Sequence, residues 1–192
     1  PEIIYIGTGD GDGFDSFSVG VLKSIDGGET WNTTGLYFPL DQDIRINKLL
    51  MSPANSEILF AASSSGLYKS NNGGLTWTEV LGGNIKDIEF HPEDPSLIYA
   101  CRDRFFRSSD GGDTFEYINE NLPSSSSTQR IAIGVTPDNP EVVYLLISAD
   151  IGGGLLGVYK SADTGVNFEL RADSPNILSV NDNGTGSTGQ GW

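Results

Sequence analysis

Carboxylates are the residues best spaced for chemistry in this chain. Asp10, Asp12 and Asp15 lie together in Asp10–Gly11–Asp12–Gly13–Phe14–Asp15. Alternating carboxylates and glycines suit a hard cation such as calcium, which draws several oxygen ligands from a tight loop. The stretch does not complete an EF-hand, because Val21 stands where the bidentate Glu would be. The expectation is a calcium site on these three aspartates, with a plain polar turn as the alternative. His91 is the single histidine and Cys101 the single cysteine. Neither has a second residue of its kind for a zinc site, and no intramolecular disulfide can form. His91 precedes Pro92 and reads as structural, and Cys101 sits in an apolar run and reads as a buried thiol.

A second pattern recurs through the chain. Ser108–Ser109–Asp110–Gly111–Gly112–Asp113–Thr114–Phe115 has three relatives: Ser24–Ile25–Asp26–Gly27–Gly28–Glu29–Thr30–Trp31, Ser70–Asn71–Asn72–Gly73–Gly74–Leu75–Thr76–Trp77 and Ser161–Ala162–Asp163–Thr164–Gly165–Val166–Asn167–Phe168. Each follows a short apolar run ending in Lys or Arg and precedes a short run with β propensity, so each predicts a turn between antiparallel strands. Asp or Asn at the third position can accept from amides ahead of it, with the Thr hydroxyl as a partner. Glycine tolerates positive φ there, and the closing Trp or Phe is expected to anchor the hairpin in a core.

The surroundings of the turns repeat as well. Ile44–Met51, Ile85–Phe90 and Arg130–Val135 each lead into a Pro-bearing turn, then into Glu57–Ala62, Leu97–Cys101 and Val142–Ile147. Successive turn serines are 46, 38 and 53 residues apart. A period of about 40–50 residues with four short strands predicts the blades of a β-propeller. With strands A to D in each blade, blade one is partial at 1–41, and blades two to four span 42–84, 85–128 and 129–173. A further blade begins over 174–192, with Asn176–Val180 as its A strand. The ends fit a four-bladed ring closed by the tail or, the favoured reading, an arc of a larger propeller.

The all-β expectation agrees with abundant glycine and no helix-period runs. A net charge of −15 disfavours nucleic acid and anionic membranes as partners. No signal peptide or apolar span is evident. Up-and-down strands put the repeated turns on one face and the variable B–C and D–A loops on the other, where binding usually sits. That face would carry Leu36–Asp43, Arg102–Arg104, Asn119–Thr128 and Ser148–Leu155, with Tyr37 and Phe38 as sugar platforms or packing residues.

The four turns resemble the Asp-box, or bacterial neuraminidase, repeat, on Ser24, Asp26, Gly28, Thr30, Trp31; Ser70, Asn72, Gly74, Thr76, Trp77; Ser108, Asp110, Gly112, Thr114, Phe115; and Ser161, Asp163, Gly165, Phe168. The resemblance implies an Asp-box β-propeller in which these residues are structural. The flanking wording is similar to large secreted Bacteroidetes proteins described as sortilin-like or as glycosyl hydrolases. No Arg-Ile-Pro segment of the sialidase kind precedes the first turn, since Arg45 is followed by Ile46–Asn47. The run Tyr99–Ala100–Cys101–Arg102–Asp103 resembles xyloglucanase-type hydrolases, which implies Asp103 as a catalytic carboxylate, but Arg104–Phe105 replaces the family's Gly-Gly. An inverting glycosidase also needs a second carboxylate about 6.5–9.5 Å away. Flanking arginines favour a salt-bridged Asp103 instead. The reading is a secreted or cell-surface module that binds carbohydrate or protein on its variable loops without its own catalysis. The alternatives are part of a carbohydrate-active glycoside hydrolase, or a protein-assembly factor.

Overall fold

Short β-prone runs broken by glycine and proline leave little besides antiparallel strands, and the computed structural model shows just that for the residues it describes, 2–9 and 18–178. The chain divides into two compact units, Pro1–Ile85 and Lys86–Trp192. The first unit holds a three-stranded sheet, β1 (Ile4–Gly7), β2 (Val21–Ser24) and β3 (Asn32–Thr33), and a four-stranded sheet, β4 (Ile46–Met51), β5 (Leu59–Ser63), β6 (Gly66–Ser70) and β7 (Thr78–Gly82). The second holds β8 (Asp87–Phe90), β9 (Ile98–Cys101), β10 (Phe105–Ser108) and β11 (Glu116–Ile118), then β12 (Thr128–Val135), β13 (Val143–Ala149), β14 (Leu155–Ser161) and β15 (Glu169–Ala172). In every sheet the spatial order follows the chain, as in a propeller blade. A single 3₁₀ turn, Leu40–Gln42, interrupts the pattern among the described residues.

The second strands β5 and β9 are enclosed on both faces, whereas β13 leaves Tyr144 exposed. Every residue of β5 and of β9 is buried. The core of the first unit gathers Val21, Leu36, Phe38, Ile46 and Ala61. The core of the second is built on Tyr99, Phe105, Val143, Leu145, Ile147 and Phe168. Phe105 stacks on Tyr99 with centroids 5.9 Å apart and meets Phe168 edge-on at 5.1 Å.

Each repeated turn is built on its serine. Ser24, Ser70, Ser108 and Ser161 are at most 1% exposed. The Ser108 hydroxyl accepts from the amides of Asp110 and Gly112 and donates to Asp110 Oδ1 at 2.7 Å. Asp110 in turn accepts from the Thr114 amide at 3.0 Å and the Thr114 hydroxyl at 2.6 Å. In the second copy Asn72 keeps the same bonds, with its Nδ2 donating to Thr76 at 2.8 Å. In the fourth, Asn167 replaces the Thr and donates Nδ2 to Asp163 Oδ2 at 2.7 Å.

These bonds all favour the ionised carboxylate. The Thr30 hydroxyl and amide hold Asp26 well below the ordinary 3.8, and Thr114 does the same for Asp110. At Asp163 burial pulls upward, but the Ser161 hydroxyl and the Asn167 amides outweigh it, leaving a value of about 2.

Two expectations need correction. The closing aromatic does not always reach a core: Phe168 is 3% exposed but Trp31 is 36% exposed. Phe168 has Phe105 of the preceding sheet to pack on, while no sheet precedes Trp31 in its unit among the described residues. Trp31 instead donates its indole N–H to the Gly28 carbonyl of its own turn at 3.1 Å. Asn176–Leu178, the described part of the expected further A strand, is not a strand. The Asn176 side-chain oxygen accepts from the amides of Leu155 (2.8 Å) and Leu178 (3.2 Å), which folds the segment into a turn.

Adjacent sheets within a unit are fastened by a cross-strand aromatic–cation pair. Tyr5 lies opposite Lys23, and both donate to the Gly73 carbonyl in the next sheet's turn, at 2.9 and 3.2 Å. Tyr99 lies opposite Arg107, whose Nε donates to the Thr164 carbonyl at the matching turn position at 2.9 Å. Arg107 thus takes the acceptor that the tyrosine has in the first unit. The Tyr99 hydroxyl is buried without a partner, and burial pushes its phenol up to about 12.

Two outcomes are expected in urea titrations. Ser108→Ala strands the buried Gly112 amide and loosens that of Asp110, lowering stability by about 1–3 kcal/mol, while Asp110→Asn changes little at neutral pH, as Asn72 shows it can. Because the folded carboxylates are depressed, their contribution is complete above about pH 4 and drains away as pH falls through 2; Asp110→Asn flattens that acid slope. Tyr99→Phe removes an unsatisfied hydroxyl and is neutral or stabilising, whereas Tyr5→Phe loses a real bond and costs about 1 kcal/mol. The reverse ranking would refute the account of the two fastenings.

Candidate functional site

In the second unit the strand directions carry the loops after β9, β11, β13 and β15 to one end and the turns at Ser108 and Ser161 to the other. Hydrogen bonds tie these loops together. Arg104 Nη2 donates to Ser125 at 3.2 Å, the Asp150 amide to the Ser127 carbonyl at 2.9 Å, and the Leu155 amide to Asn176. The Ile131 amide donates to the Arg102 carbonyl at 3.1 Å. The result is a rim of variable loops seated on rigid strands, the usual place for binding residues.

Asp103 stands on this rim between two guanidinium groups. Arg102 Nε approaches Oδ1 at 3.2 Å without the alignment of a hydrogen bond, and Arg104 Nε lies 4.0 Å from Oδ2. Arg102 covers the Phe106 ring at 5.6 Å and Arg104 the Tyr117 ring at 5.7 Å. Phe106 is 6% exposed and Tyr117 is 40% exposed, with their centroids 5.7 Å apart. The cluster therefore offers an aromatic face flanked by cationic donors, with Asp103 as its counter-charge. Such a surface can stack on a flat, hydroxyl-rich ligand and hydrogen-bond its edge.

Asp150 reaches the same rim from the next sheet. It is exposed and opens a loop whose Gly152 and Gly153 take φ of 80° and 61°. Ile151 beside it is 91% exposed. Sequence reasoning passed over Tyr117 and its pairing with Arg104. The two are brought together by the β10–β11 pairing of Phe105 with Ile118 and Phe106 with Tyr117, which composition does not reveal.

The remaining candidates lie in both units. Phe38 is a core residue, 8% exposed and edge-on to Tyr68 at 5.8 Å, while Tyr37 is 54% exposed and available. Asp10, Asp12 and Asp15 lie outside the described residues. Thr8, just before them, is anchored: its hydroxyl donates to the Gly20 carbonyl at 2.7 Å and accepts from the Val19 amide at 2.9 Å. Among the described residues no group of three or more His, Cys, Asp or Glu could hold a metal ion. His91 is structural, its Nδ1 accepting from the amides of Glu93 and Asp94 at 3.2 and 3.0 Å. Among the described residues no helix is long and apolar enough to cross a membrane.

No family model matches the chain. A xyloglucanase of Paenibacillus sp is 31% identical over 107 residues, covering 52% of this chain and 10% of that protein. A xyloglucanase of Hypocrea jecorina is 36% identical over 66 residues, covering 31% of this chain and 8% of its own length. The chain thus spans about a tenth of the curated relatives it matches. The crystal structure of an ancestral GH74 enzyme aligns with a TM-score of 0.68 and 27% identity, over 85% of this chain and 22% of that one. The sheets described above are β-propeller blades, and their relatives include glycoside hydrolases.

Proposed function

We propose that this chain is part of a secreted or cell-surface glycoside hydrolase of the xyloglucanase type, built on Asp-box turns, and that its rim of variable loops faces a branched β-glucan. The similarity to two xyloglucanases and to a GH74 structure carries this reading. It moves the weight from a binding module without catalysis to a piece of a carbohydrate-active enzyme. The rim agrees with it in kind: Tyr117 presents a half-open aromatic face, Arg104 supplies donors, and Asp103 and Asp150 bring carboxylates from two neighbouring loops.

The chemistry such an enzyme performs requires two carboxyl groups across one glycosidic bond, one to protonate the leaving oxygen and one to activate water. Asp103 is engaged by arginines on both sides, which suits holding the Tyr117–Arg104 platform in place more than giving up a proton. Asp150, exposed at the head of its own loop, is the freer group of the two. On this account the 192-residue chain alone binds glycan and does not cleave it, the rest of the active site being contributed elsewhere in the enzyme.

Titration calorimetry of the chain with xyloglucan oligosaccharides tests the reading. Binding is expected, weakened about tenfold or more by Tyr117→Ala, as loss of one stacking ring predicts. No heat with xyloglucan, or binding indifferent to Tyr117, would sink it. Calcium on Asp10, Asp12 and Asp15 is a separate proposal, resting on their spacing alone. It predicts that millimolar calcium raises the melting temperature and that Asp12→Ala removes the rise; an identical melting point with and without calcium rejects it.

A further inference from the structure

In the second unit the loops of the rim leave strands that are joined just beneath them. β9 ends at Cys101, directly before Arg102, and β12 begins at Thr128, directly after Ser127. Three bonds run along the edge of β12 that β13 does not use. The Ile131 amide donates to the Arg102 carbonyl at 3.1 Å, the Cys101 thiol donates to the Ile131 carbonyl at 2.9 Å, and the Ile133 amide donates to Asp87 Oδ2 at 2.9 Å. The other oxygen of Asp87 accepts from the Ile88 amide at 2.9 Å, so one carboxylate spans β8 and β12.

Asp87 is not part of the repeat. It lies opposite Cys101, three places along the second strand from the partner of the turn serine. At the same place β4 has Lys48, opposite Ala62, and β12 has Ala132, opposite Leu146. Asp87 is nonetheless only 8% exposed. Taking a carboxylate out of water is costly, and an apolar side chain fills such a space at less cost. What the carboxylate supplies is a directional, charge-assisted bond between two strands. In the first unit the matching joint between sheets is the Ile46 amide on the Thr8 carbonyl, at 3.0 Å. Gly7 stands there at the place of Cys101, and a Cβ on it would collide with Ile46, so no thiol could reach across.

We propose that Asp87 is a positioning residue for the rim. By holding β12 against β8 and β9 it fixes the distance between the loop that carries Asp103 and Arg104 and the loop that carries Ser125. Arg104 reaches Ser125 across that gap, and the Ser127 carbonyl holds the Asp150 amide, so the spacing passes on to the loop of Asp150 as well. The platform of Tyr117 and Arg104 keeps its shape because Asp87 sets the seat of its partner loop. The binding part of this inference rests on the glycan reading above; the joint itself does not.

Amide hydrogen exchange of the full 192-residue chain, followed residue by residue by NMR, tests the joint without any ligand. Asp87→Ala should speed exchange about tenfold or more at the Ile133 and Asp150 amides, as local opening predicts. The Gly112 and Gly165 amides, bonded to serines in the turns at the opposite end, should be unchanged. Asp87→Asn keeps the volume and one acceptor; it should show the same pattern more weakly and is the variant to read where Asp87→Ala does not fold. In calorimetry with xyloglucan oligosaccharides, Asp87→Ala should weaken binding about threefold or more, and by much less once Ser125→Ala has already cut the tie to Arg104, the non-additivity expected of residues acting through one path. Equal acceleration at both ends makes Asp87 a plain stabiliser and overturns the proposal. So does Asp150 exchange that the substitution leaves unchanged, or glycan affinity that it leaves unchanged while the wild type binds. A wild type that binds no xyloglucan, with the exchange pattern as expected, refutes the glycan reading and upholds the joint.

Discussion

The structure depends on a serine hydroxyl buried at the end of one strand in every sheet. A hydroxyl out of water must satisfy its donor and its lone pairs locally. At Ser108 it does so with the Gly112 and Asp110 amides and the Asp110 carboxylate, and this forces the chain to reverse within four residues. The carboxylate then reaches forward to Thr114 and aims the fourth strand back along the third. Because this closure needs no large core of its own, it can be repeated with unequal connecting loops. The loops are free to vary because the turns are not.

The same geometry fixes how sheets within a unit attach. A tight turn rich in left-handed glycine leaves its outward carbonyl without an internal partner, and the neighbouring sheet supplies donors for it. The two units solve this differently. In the first, phenol and ammonium share the Gly73 carbonyl; in the second, the wider guanidinium of Arg107 takes both the carbonyl and the hydroxyl of Thr164. Thr164 carries a φ of 57° that glycine would adopt more easily, and the bond from Arg107 to its hydroxyl compensates for that strain. The price of the guanidinium is the stranded Tyr99 hydroxyl. Substitutions that look like decay of the repeat are thus coupled across the sheet boundary.

Much of this was legible in the sequence because it is local. Ser-x-Asp-x-Gly-x-Thr at fixed spacing announces a turn whose bonds span four residues, and the strands around it follow from β-prone runs between glycines and prolines. What was not legible depends on register. Tyr5 and Lys23 are far apart in sequence while Tyr99 and Arg107 are close, because the loop between their strands differs in length; only the pairing of strands reveals them as one device. The same limit hid Tyr117 behind Arg104. Local pattern also misled once: Asn176 heads a stretch with strand-like residues, but a side-chain carbonyl that captures two amides makes a turn of it.

The division between fixed turns and variable loops bears on what kind of chemistry the rim can support. Loops tied to one another through Arg104–Ser125, Asp150–Ser127 and Leu155–Asn176 have their roots fixed by hydrogen bonds. A platform such as Tyr117 with Arg104 needs only its root fixed, since stacking tolerates small displacements. A pair of catalytic carboxylates does not, because its separation decides the reaction. On the glycan-binding reading proposed above, a rooted platform is enough for the rim, and the arginines flanking Asp103 set that carboxylate beside it.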